Sequence, residues 1–134
     1  MSEENIQLVR RGIDAFNRRD AETWAALGTP EAEIIPMRAA VEGTSYRGPE
    51  GAARFFAETD EIWGEISVEL TESPIEVDDR TIYAQGRLRG RGHMSGVEVD
   101  MEAAWVFRFS NGLVSSTRTY TDIALAREDA GLSE

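Results

Sequence analysis

At Glu65 the spacing of apolar residues changes from the 3.6-residue period of helices to the two-residue period of strands, and alternation then persists as far as Asp122. A strand-period pattern cannot bury one face as a helix, nor a helix-period pattern as a strand. The chain must therefore lay a helical first half against an antiparallel sheet built from its second half.

In the first half, Ser2 can cap a helix whose Ile6, Val9, Ile13 and Phe16 share one face, with Glu3 and Glu4 at its N-terminal dipole and Arg18 and Arg19 at its C-terminal one. Asp20 can cap a second, short helix carrying Trp24 and Leu27, which Gly28 and Pro30 end. Residues 31–37 read as a short strand and 40–46 as an irregular strand or loop closing at Tyr46-Arg47-Gly48-Pro49. Pro49 suits the first turn of a third helix, whose apolar side carries Ala52, Phe55, Phe56, Ile62 and Trp63.

In the second half, turns at Asp78-Asp79-Arg80, at Gly90 to Gly96 and at Asn111-Gly112 divide the pattern into four long strands. Asn-Gly between apolar alternations marks a tight hairpin, because both residues accept positive φ. Along 97–109 the odd positions, from Val97 through Trp105 to Phe109, are apolar, whereas Glu98, Asp100, Glu102 and Arg108 lie on the other face. Asp122 can cap a last short helix ending at Gly131.

Fourteen basic against twenty-five acidic side chains leave a net charge of −11, which disfavours phosphate backbones and anionic lipid as partners. With no cysteine there is neither a disulfide framework nor a thiolate metal site, and with His93 as the single histidine no metal-ligand spacing emerges. No resident cofactor or metal is expected. The first residues, Met-Ser-Glu-Glu-Asn, have neither a basic segment nor an apolar run, so a cytoplasmic protein is expected, folded as a single domain over residues 1–134.

The order helix, short helix, strand, helix, meander, together with Ala15-Phe16-Asn17-Arg18-Arg19-Asp20, Tyr46-Arg47-Gly48-Pro49-Glu50-Gly51 and Asn111-Gly112-Leu113-Val114 to Tyr120-Thr121-Asp122, resembles the SnoaL-like (polyketide cyclase-like) branch of the nuclear transport factor two-like superfamily. The resemblance implies an α+β fold: a cone-shaped, curved, mostly antiparallel (mixed) sheet wrapped around a long N-terminal helix and two shorter ones, with a pocket inside and often a homodimer through the sheet. It does not imply one activity, because many functions are built on this fold. The cyclases' aspartate acid/base falls at Thr119. The base, oxyanion tyrosine and second acid of ketosteroid isomerases fall near Pro36, near Gly12 and at Trp105, and the catalytic set of limonene epoxide hydrolases near Leu88, Gly86 and Thr119. None of these side chains can exchange a proton with substrate at neutral pH.

The candidate ligand-binding residues are Trp24, Met37, Tyr46, Phe56, Trp63 and Trp105, which either wall a cavity or fill an ordinary core, and Thr117 and Thr119, whose hydroxyls point inward or lie on an outer sheet face. His93 reads as a general base or, more simply, as an exposed hairpin tip. Arg118, Tyr120 and Asp122 share a face and read as a solvated or interfacial polar cluster. Val106, Val114 and Tyr120 are expected on the outer sheet face, where they favour the dimer.

Two functions follow. One is a non-catalytic pocket protein that binds a small, largely apolar molecule. The other is a cofactor-independent isomerase, cyclase or hydrolase acting on such a molecule. A carboxylate or histidine opening into the cavity would favour the enzyme; a wall of tryptophan, leucine and threonine favours binding.

Overall fold

In the computed structural model, which describes residues 2–36, 43 and 45–132, helix α1 (Ser2–Asn17) buries Val9 completely and packs Ile6, Ile13 and Phe16 against the same core. Asp20 caps α2 (Ala21–Ala26): its carboxylate accepts the Thr23 N–H at 3.1 Å and the Thr23 hydroxyl at 2.7 Å. Strand β1 begins at once, at Gly28, and runs to Ile35, earlier than the expected 31–37. A two-residue strand β2 (Tyr46–Arg47) leads into α3 (Gly48–Ile62), with Pro49 in its first turn. The rest of the expected strand or loop over 40–46 lies largely outside the described residues.

The second half contains β3 (Trp63–Leu70), β4 (Ile75–Asp78), β5 (Thr81–Gly92), β6 (Glu98–Ser110) and β7 (Leu113–Tyr120), followed by α4 (Ile123–Ala130). Three of the four expected long strands stand, whereas the first, expected from Glu65 to the Asp78 turn, is broken into β3 and the short β4, both paired with β5. The seven strands lie in the order β2-β1-β7-β6-β5-β3, with β4 beside β5 off this path. Every pairing is antiparallel except that of β1 with β7, so the sheet is mixed. At Asn111-Gly112 both φ values are positive, 55° and 80°, as a type I′ turn requires.

Three local expectations are corrected. Ile62, at the end of α3, is 48 % exposed, and Trp63 leaves the helix face to open β3 because it pairs with Gly92. The glycine-rich turn is shorter than Gly90 to Gly96, since β5 continues through Gly92. Val114 faces inward: the register steps from Arg108↔Ser116 to Phe109↔Val114, and the extra residue, Ser115, turns Val114 into the core with Phe109.

The outer face of β5 to β7 is covered in part by the chain itself. Helix α4, capped by Asp122 and ended by Gly131 at φ 94°, lays Ala126 and Ala130 on Tyr83, Ala104 and Val106. Val106 is fully buried, and Val114 faces inward, so neither provides the outer apolar surface on which the expectation of a sheet-mediated dimer rests. Among the described residues no helix is long and apolar enough to cross a membrane.

Candidate functional site

Between the concave sheet face and α1 to α3 lies a cavity of about 90 Å³. A water needs at least about 10–15 Å³ of such space, so the cavity accommodates roughly six water-sized positions. Its floor is the inner face of β5 to β7, where Trp105 stands opposite Thr119, and Phe107 opposite Thr117. The roof comes from Ile13 and Phe16 of α1, Trp24 of α2 and Phe55 of α3, and one side from Trp63, Ile66 and Val68 of β3.

Five of the eight expected ligand-binding residues line this space: Trp24, Trp63, Trp105, Thr117 and Thr119. These include all three tryptophans of the protein. The threonine stripe faces inward because β7, after its bulge at Ser115, returns to the parity of Trp105 and Phe107.

The other three do not line it. Phe56 is buried behind the wall, with its ring 5.9 Å from Phe16 and 6.0 Å from Trp24. Tyr46 belongs to a separate cluster with Ile34 and Ala52; its hydroxyl donates to Glu58 and its ring lies 4.8 Å beneath the Arg54 guanidinium. A tyrosine seated on the strand that precedes α3 is turned toward that helix rather than toward the sheet floor. Met37 lies outside the described residues.

The lining also includes Thr59, Pro36 and Leu88, none of them among the expected ligand-binding residues. Thr59 carried no sequence signal, being a polar residue inside a helix. Its hydroxyl donates to the Phe55 carbonyl one turn back at 2.8 Å, so it meets the cavity without offering a free donor. Gly90 gives the Trp63 wall its room, since a Cβ there would come within 3.0 Å of the indole and 2.8 Å of the Glu65 carbonyl oxygen.

Among the described residues lining the cavity there is no carboxylate, histidine, lysine or arginine, and its polar side chains are hydroxyls and indole N–H groups. Four positions matched to the acids and bases of related enzymes do lie on its wall, and they hold Thr119, Pro36, Trp105 and Leu88. The Gly12 position lies beneath Trp24, whose ring a Cβ would approach within 3.3 Å. Among the described residues no group of three or more His, Cys, Asp or Glu side chains is placed to hold a metal ion.

Thr117 is 4 % exposed, and its hydroxyl is the one buried side-chain polar atom among the described residues without a hydrogen-bond partner. It also borders a second, much smaller cavity of about 20 Å³ beside Leu8, Gly28 and Val114.

The remaining candidates lie elsewhere. His93 is exposed at the β5–β6 hairpin tip, with its backbone N–H bonded to the Ile62 carbonyl. Arg118 stacks on Tyr120 with its guanidinium carbon 5.1 Å from the ring centre, and Asp122 caps α4. Of the acids expected opposite Arg118, Asp100 pairs with Arg87 at 3.0 Å and Arg89 at 3.4 Å, Glu98 with Arg91 at 2.6 Å, and Glu102 accepts from the Gln85 amide at 3.0 Å. This is the solvated ladder expected of a wet sheet face.

The family model for the SnoaL-like domain matches residues 9–117. Among solved structures, an NTF2-like protein of unknown function from Burkholderia pseudomallei is similar at 22% identity, with a TM-score of 0.78, covering 95% of this chain and 97% of that one. A protein from Jannaschia described as a putative SnoaL-like polyketide cyclase is 25% identical, with a TM-score of 0.75 and coverage of 98% and 94%. TerC, co-crystallised with polyporic acid, is 17% identical, with a TM-score of 0.77 and coverage of 93% and 96%. No curated protein matches the sequence.

Proposed function

The chain belongs to the SnoaL-like domain family, and we propose that this member binds a small, largely apolar molecule in its cone without transforming it. The observation that carries the reading is the cavity itself: open space whose wall includes three tryptophans and three threonines, with no ionisable side chain among its described residues. Acid/base catalysis needs a group that changes protonation near neutral pH within reach of substrate, and hydroxyls in an apolar wall do not provide one. A merely structural cone would be filled to the density of an ordinary core. TerC, a protein of similar fold, was co-crystallised with polyporic acid, which supports the view that this fold takes organic ligands.

The isomerase, cyclase or hydrolase alternative requires an acid or base at the cavity wall, where this chain holds Thr119, Pro36, Trp105 and Leu88. A cytoplasmic protein acting as a reservoir or carrier fits the binding reading.

The test is a titration of the purified protein with small cyclic hydrocarbons, ketones and alcohols, followed through the three indole N–H resonances, which all belong to the cavity wall. Saturable shifts of those resonances by at least one probe class are expected. Indoles indifferent to every class would show the cone to be closed to ligands and would overturn the reading.

A further inference from the structure

Within the cavity one polar atom stands apart. The Thr117 hydroxyl is buried, lacks a partner, and lies among Ile34, Phe107 and Val114, none of whose side chains can offer one. An unsatisfied buried hydroxyl is a net cost to the fold, and native structures tolerate few of them. Thr59 in the same wall behaves differently, for its hydroxyl returns its proton to its own helix.

A partner for Thr117 can arrive only through the two spaces it borders. The smaller, about 20 Å³, has room for no more than a single water. The larger is the ligand cavity, and two residues further along β7 Thr119 presents a second hydroxyl to the same space, with no hydrogen bond to any described residue. The two threonines form the polar edge of an otherwise apolar chamber. With no cation or carboxylate among the described lining residues, a charged ligand would lose its hydration without gaining a counter-charge. A pure hydrocarbon would leave Thr117 as it is.

We infer that the ligand is an uncharged molecule bearing a carbonyl or hydroxyl oxygen, seated with that oxygen against Thr117 and its ring or chain against Trp24, Trp63 and Trp105. The inference rests on the ligand-binding reading and names the chemical class of its ligand. The hydroxyl donates to a ketone oxygen, or exchanges donor and acceptor roles with an alcohol, through a small rotation about χ1.

The experiment compares cyclohexanone, methylcyclohexane and cyclohexanecarboxylate, three probes of similar size, by titrating the indole N–H resonances of the wild type, Thr117→Val and Thr117→Ser. The ketone should bind the wild type about five- to tenfold more tightly than the hydrocarbon, as one net hydrogen bond provides, with the carboxylate weakest. The preference should vanish in Thr117→Val and survive in Thr117→Ser.

Equal binding of ketone and hydrocarbon by the wild type would overturn the inference while leaving the binding reading intact; it is the result expected if a trapped water already satisfies Thr117. A preference that persists in Thr117→Val, or a carboxylate bound as well as the ketone, would overturn it equally. Failure of all three probes to move the indoles would overturn both readings. The wild-type comparison decides without the variants, so a variant that failed to fold would not shelter the proposal.

Discussion

The side-chain amide of Asn17 pairs with the backbone of Val68 as a neighbouring strand would: Asn17 Nδ2 donates to the Val68 carbonyl at 2.9 Å, and the Val68 N–H donates to Asn17 Oδ1 at 2.8 Å. Strand β3 is the last in the sheet order, and Asn17 occupies part of its open edge. Next to it Arg19, at φ 57°, reaches the Ile66 carbonyl at 2.6 Å and Asp60 at 3.0 Å. Residues 17–20 thus fasten α1 to the sheet edge and start α2, which fixes the height of the roof above the floor.

Replacing Asn17 by Ala removes both bonds and should destabilise the protein by roughly 1–3 kcal/mol. Asn17→Asp keeps the acceptor, loses the donor and sets a carboxylate against a carbonyl, so it should lie at least as low. Urea denaturation of the three proteins checks the order; an Asn17→Ala midpoint equal to that of the wild type would show the contact to be incidental.

Trp105 is the largest side chain on the cavity floor. Trp105→Ala should lose about 3–5 kcal/mol of stability and enlarge the chamber, and ligand affinity should fall with it. Trp105→Phe keeps the fold with a milder loss. An unchanged affinity in a folded Trp105→Ala protein would show that the wall lies elsewhere.

Gly86 separates two sheet positions at closer range than any side chain allows, for a Cβ there would sit 2.1 Å from the Glu69 carbonyl oxygen and 2.8 Å from the Leu70 Cα. Gly86→Ala must push β3 away from β5. It should cost several times the roughly 1 kcal/mol expected for Gly112→Ala, which meets no atom and suffers only from its positive φ of 80°. Melting temperatures of the two variants, measured side by side, test this.

Alkaline pH should weaken the fold from the outer face. Burial, then the Asp129 carboxylate that accepts the Tyr120 hydroxyl at 2.7 Å, hold the Tyr120 phenol above its ordinary value of 10.0. Burial raises Tyr83 likewise, against the opposing pull of Arg127. The folded chain therefore keeps protons that the unfolded chain releases. The stability so linked is complete below the ordinary phenol value and is lost as pH rises above it. A melting profile taken from neutral pH to about 11 should fall, and less steeply in Tyr120→Phe. Equal slopes would dissociate Tyr120 from the effect.

The sequence made the architecture legible because two periods, one Asn-Gly turn and two aspartate caps are local signals, each with one structural solution. The site was half legible. Alternation placed Trp105 and Phe107 inside, but whether Thr117 and Thr119 join them depends on a single bulged residue, Ser115, and a bulge has no sequence period. The same bulge turned Val114 inward. Tyr46 misled for a different reason: an aromatic near a pocket is equally at home in the helix packing beside it, and a two-residue strand leaves no pattern from which to tell its direction.

The parallel pairing of β1 with β7 has a kinetic side. Gly28 lies against Val114 and Ile34 against Thr117, so the two strands that join the roof to the floor come from opposite ends of the chain. Closing so long a loop is entropically costly, and contacts of this kind form late in folding. The meander of β5, β6 and β7 can assemble from neighbouring hairpins, but the chamber exists only once β1 has docked. A ligand therefore cannot guide the early steps; its grip is on the finished cone, where it acts by delaying the parting of those two strands.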